Sequence, residues 1–76
     1  MQIWLISRTD PVSWDEYDSH VAVAETSERA RVMAGMEPGD EGADVWLDAA
    51  TKCTPIGTAL DGEDERIILS SYKPGY

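Results

Sequence analysis

Between His20 and Gly35 the hydrophobic period changes from two to nearly four, with no loop to separate the two patterns. Val21 and Val23 alternate with His20, Ala22 and Ala24, which reads as a strand with β-branched residues on one face and small ones on the other. Small residues on the second face suit a helix lying close over it. That helix follows at once. Thr26 or Ser27 can cap the first free N–H groups, and Glu28 sits in the first turn, where the helix dipole favours a negative charge. Ala30, Met33 and Ala34 share one face, and Arg29 and Arg31 fall toward solvent. Gly35 is expected to end the helix in the left-handed conformation, with Pro38 shortly beyond. A helix of only about nine residues is marginal alone in water and must rest on a sheet.

The rest of the chain supplies that sheet. Gln2 to Arg8 has apolar residues on both faces, Ile3 and Leu5 against Trp4 and Ile6, and is expected inside the sheet. Asp10-Pro11 marks a turn, so residues 2–24 form a long-looped hairpin. Met36 to Ala43 is rich in breakers and acids and reads as an exposed loop. Val45, Trp46 and Leu47 read as a short strand, Ala49 to Thr54 as a turn or a single helical turn, and Ile56 to Leu60 as a strand with Pro55 at its entrance. Asp61-Gly62 suggests a hairpin loop into the last strand, Glu65 to Tyr72, with Lys73 to Tyr76 as a tail. The last strand is also apolar on both faces, so it and the first are the expected sheet centre. The fold class is α+β, one domain over residues 1–76, with a single mainly antiparallel sheet and one short helix on one face, in the order ββαβββ.

A chain of 76 residues buries only roughly 60% of the surface its unfolded form exposes. With no Phe, the aromatic bulk comes from three Trp and three Tyr, and Trp4, Trp14 and Trp46 are expected in or beside the core. The net charge of −9 argues against direct nucleic-acid binding, since the six basic residues are scattered. An acidic surface can instead meet a basic protein, imitate DNA, or simply keep the chain in solution. Cys53 is the single cysteine, so no internal disulfide forms. The opening MQIWLIS lacks a basic n-region, and no apolar run approaches a membrane span. A cytoplasmic location with no membrane partner is expected. Exposed edge strands make a homo-oligomer an expected state.

The WLIS opening with Arg8, the run Tyr17-Asp18-Ser19-His20-Val21, the Ala30-Arg31 pair and the final Ser70-Ser71-Tyr72 together resemble a group of short bacteriophage and prophage proteins. Members share a pattern close to WLISR…YDxxV. The likeness spans about two-thirds of the chain. The stretch 36–55 is more acidic than the group's pattern, and Tyr72 stands where Phe is usual. The group has no assigned activity, so the resemblance implies an origin more than a function.

One polar cluster stands out: Arg8, Asp15, Tyr17, Asp18 and His20. A hairpin would bring them within reach. An Arg and a Tyr could hold a phosphate and stack on a base. Equally, an Arg–Asp pair and an Asp accepting loop N–H groups would only pin the loop. His20 lacks an evident catalytic partner, because Ser19 points to the opposite strand face and Cys53 is distant. One Cys and one His do not make a zinc site, and the acidic loops do not match an EF-hand. The expectation is a non-catalytic phage accessory protein without cofactor or metal. It would bind a host protein or a small nucleotide-like ligand, and it could antagonise a host defence. A DNA-mimic inhibitor and a small enzyme using Arg8, Asp15, Tyr17 and His20 are the alternatives.

Overall fold

A computed structural model describes residues 1–75. Its elements are β1 (Gln2–Ser7), β2 (Glu16–Ala24), α1 (Ser27–Ala34), α2 (Asp44–Leu47), β3 (Lys52–Thr58) and β4 (Arg66–Lys73). The strands form one antiparallel sheet in the order β3-β1-β2-β4. The α+β class with one antiparallel sheet and a helix packed on one face therefore stands.

The β2–α1 junction follows its sequence pattern. Thr26 is the N-cap, and its Oγ1 accepts from Arg29 N at 3.2 Å. Ala22 and Ala24 of β2 lie against Ala30, Met33 and Ala34 of α1, in one core with Ile6 and Trp46. Alanine on both sides lets the helix sit close to the sheet. Gly35 closes the helix, though at φ −94 rather than in the left-handed region. A side chain there would be crowded for another reason: a Cβ would stand 3.1 Å from Ala43 O. Arg31 is not free in solvent. It donates to Trp46 O and Asp48 O, and ties α1 to α2.

Several expectations are corrected. Asp44–Leu47 is helical, not a strand, so the element order is ββααββ. Three apolar residues fit either period, and tertiary packing decides: Trp46 alone turns inward and is wholly buried, while Leu47 stays exposed. The sheet centre is β1 and β2, and β4 is an edge. Its two apolar faces arise because Ile67 packs toward the helix side, Leu69 lies opposite Val21 on the uncovered side, and a bulge at Ile68 separates them. Residues 59–65 are consequently not a hairpin loop. They pass under the ends of β1 and β2 from one sheet edge to the other, held by Ala59 N–H to Met1 O and Glu25 N–H to a Glu65 carboxylate oxygen. Gly62 still turns there with φ +86.

Trp14 is also out of place as a core residue. It is 59% exposed, with Lys73 Nζ 4.6 Å from its ring centre. Lys73 belongs to β4, so the expected tail begins at Pro74, and Tyr76 lies outside the described residues. Pro55 sits inside β3 rather than at its entrance, which an edge strand tolerates.

Candidate functional site

The five polar residues singled out from the sequence lie at one end of the β1–β2 hairpin, but they do not converge on one pocket. Arg8 turns to its sequence neighbours. Its guanidinium donates to Asp10 Oδ2 at 2.6 Å, Glu16 Oε1 at 3.0 Å and Tyr17 O at 3.0 Å, and its side chain is only 4% exposed. Asp10 foremost holds the guanidinium further from deprotonation, and in return Arg8 holds the Asp10 carboxyl below its usual range. Glu16 is held low first by Ser13 N–H and then by Arg8.

Asp15 is a junction of three segments. It adopts φ +60, donates its N–H to Lys73 O, and accepts Asp40 N–H on its carbonyl at 2.7 Å. Its carboxylate accepts the Tyr72 hydroxyl at 3.1 Å. Burial first, and then Asp15, push the Tyr72 hydroxyl's pKa up. Asp18 is the extra residue of a bulge in β2, and its carboxylate accepts from Ser19 Oγ and Ser71 Oγ.

His20 faces the helix side and is 5% exposed. Its ring lies between Tyr17 (5.0 Å) and Trp46 (4.6 Å, edge-on). Nδ1 is 2.7 Å from Ser70 Oγ, while the buried Nε2 has no partner among the described residues. Burial pushes its pKa down and outweighs the opposite pull of Glu41 and Asp18. Glu41, read from sequence as loop, reaches into this region: Oε1 accepts Tyr17 N–H and Oε2 accepts Trp46 Nε1–H.

Beside this cluster runs a groove of about 340 Å³ between the C-terminal end of α1 and β4. Tyr17, Met33, Met36 and Ile67 give it apolar walls, and Ser70, beside His20, also lines it. Glu37, Glu65 and Arg66 supply the charged lining. Its volume falls at the small end of ligand pockets, which run from roughly 300 to 1,000 Å³. Of the five residues chosen from sequence, only Tyr17 lines it. Met33 reads as core and Met36 as loop, so the groove is invisible until α1 is laid on the sheet. The Ser70–His20 pair is equally hidden, since it depends on the β2–β4 register.

Among the described residues no group of three or more His, Cys, Asp or Glu is arranged to hold a metal ion, and no helix is long and apolar enough to cross a membrane. Comparison with known protein families, curated proteins and solved structures returned no match.

Proposed function

We propose that this protein acts by binding, and that the groove walled by Tyr17, Met33, Met36 and Ile67 takes a basic, partly apolar side chain of a host protein. The observation that carries this reading is the pairing of apolar walls with the acids Glu37 and Glu65, on a chain of net charge −9. The aliphatic stem of a Lys or Arg would lie against Tyr17 and the methionines, and its charged end would meet Glu37 first, since Glu65 already accepts from Arg29 Nε and Glu25 N–H. A nucleotide-like ligand is the poorer fit. The one basic residue lining the groove, Arg66, already donates to Glu63, and Arg8 is engaged by Asp10 and Glu16. A phosphate would find two carboxylates and no free cation in the groove lining. The resemblance to phage proteins supplies the setting: a phage accessory protein in the host cytoplasm that blocks a host component, a defence protein included, by stoichiometric contact.

Native mass spectrometry of the protein purified from host cells tests this, with Met36→Lys as the control. Met36 is 71% exposed, so the variant is expected to fold. The expected result is a defined complex with one host protein that weakens with salt and is lost in Met36→Lys. A small adduct of nucleotide size, a bare chain, or a partner indifferent to Met36→Lys each refutes the reading.

A further inference from the structure

The groove uses the helix side of the sheet. Among the described residues no helix covers the opposite side, where Val23 is buried at one end and the rest stays open. Because Trp4, Ile6, Ala22 and Ala24 face the helices, alternation and register place Ile3, Leu5, Val21 and Leu69 on the open face. Ile3 reaches across Gly57 on β3, whose absent Cβ would stand 3.8 Å from Ile3 Cδ1. Val21, Leu69 and Ser71 line a shallow hollow of about 180 Å³ on the same side. Leu69 is 67% exposed on edge strand β4, and Leu5 is 36% exposed on central strand β1. A contiguous apolar face of this kind is uncommon on a chain that works alone.

We infer that this open face, centred on Ile3, Leu5, Val21 and Leu69, is where a second copy of the chain docks, sheet against sheet. Charge selects the occupant. A chain of net charge −9 repels its own copy over most of its surface, yet of its 15 acids only Glu16 and Asp18 lie in strands. Both stand at one end of β2, and the Asp18 carboxylate is already held by two serine hydroxyls. The middle of the face carries no acid. A basic partner would prefer the acidic helix side, whereas a second copy can approach only where the acids are missing.

Size agrees with a modest dimer. Four strands about 4.8 Å apart and some six residues long give a face of roughly 19 by 20 Å, about 400 Å² in plan on each copy. Side-chain relief brings the total accessible area to about the 1,000 Å² that a specific interface needs. Two sheets would then pack about 10 Å apart with strands crossing near −30°. Edge-to-edge pairing is the poorer route. Edge β3 carries Pro55 and a bulge at Ile56, and edge β4 is bulged at Ile68.

Sedimentation velocity from about 1 to 200 μM tests this. The expected mass rises from the 8.4 kDa of one chain to twice that within the range. Leu69→Glu and Leu69→Lys each weaken the dimer by at least about 100-fold with an unchanged circular dichroism spectrum. Leu69→Lys matters because it lowers the net negative charge. If the contact is apolar it still weakens the dimer, and if only repulsion governs association it strengthens it. Met36→Lys, on the helix side, leaves the dimer intact. A monomer throughout, a dimer indifferent to both Leu69 variants, or one strengthened by Leu69→Lys overturns the inference. A dimer lost in Met36→Lys places the contact at the groove and overturns it too.

Discussion

Replacing Trp46 should show how little redundancy this fold has. Its indole is wholly buried and is the largest fully buried side chain. Truncating a buried Trp to Ala costs about 3–5 kcal/mol. The lost edge contact with His20 is worth about 0.5–1.5 kcal/mol and overlaps that figure rather than adding to it. A chain of this length has a total stability of about 4–11 kcal/mol. Trp46→Ala should therefore remove between about a quarter and all of it and lower Tm by about 12–40 °C. Trp46→Phe separates bulk from polarity. It keeps a ring in the site but loses the Nε1–H that Glu41 Oε2 accepts. Glu41 is only partly buried, so water can replace that donor, and a loss of about 1–2 kcal/mol is expected. Urea unfolding followed by far-ultraviolet circular dichroism measures both variants, and Trp4 and Trp14 remain for fluorescence. A Trp46→Ala protein within about 1 kcal/mol of the parent would refute the core assignment. A Phe variant as damaged as the Ala variant would show that the Glu41 contact, not the buried bulk, dominates.

Three further outcomes are expected. Gly39→Ala should destabilise strongly although residue 39 has no positive φ, because its Cβ would press into Asp15 O and stand 2.9 Å from Glu41 Oε1. Thermal melts that match the parent would sink that account. The burial of His20 makes its folded pKa lower than the usual 6.5, so the unfolded chain binds the proton more readily. Stability should be flat above about pH 7 and fall as pH drops through about 6.5 toward the lower folded value. His20→Phe should remove that slope, and a parent protein equally stable at about pH 7.5 and 5.5 would contradict the assignment. The shifted carboxyls of Asp10 and Glu16 titrate in a lower, separate window. Arg8→Ala should cost about 1–3 kcal/mol, discounted from a fully buried pair because Asp10 is 46% exposed. Unchanged urea midpoints for that variant would mean that Arg8 does not pin the loop.

How far the sequence reveals this structure depends on how local each signal is. The β2–α1 unit is legible because its period change, its cap at Thr26 and its alanines all lie within fifteen or so residues. β1 is legible as a central strand because both its faces are apolar, although helices cover only one of them. The same rule misplaces β4, where a bulge at Ile68 and an uncovered face imitate an interior strand. α2 is illegible because Val45-Trp46-Leu47 is too short to show a period. The polar cluster fails for a related reason. Arg8 finds acids at positions 10 and 16, close in the chain, before it can reach Asp15 or Asp18. Tyr17 alone carries over, because its strand position fixes its side. The groove beside it needs Met36 from a loop and Ser70 from a strand more than thirty residues on, and no local pattern joins them.

The two proposed surfaces share one cause. Ala22 and Ala24 bring α1 close, but a face built from alanine buries little apolar area per residue, and two helices of eight and four residues cover one side of the sheet only. On the other side Val23 is buried at one end, but among the described residues no helix covers Ile3, Leu5, Val21 and Leu69. If a second copy covers them, association and folding are linked, because the dimer exists only when both chains are folded. Tm should then rise with protein concentration. At concentrations where the parent is dimeric, Leu69→Glu should melt lower than the parent, and on dilution to where the parent is monomeric the two should converge. Calorimetry across about a hundredfold range of concentration reads this. A constant difference at every concentration would mean that Leu69 stabilises the single chain by itself, and the open face would then be a surface of the monomer.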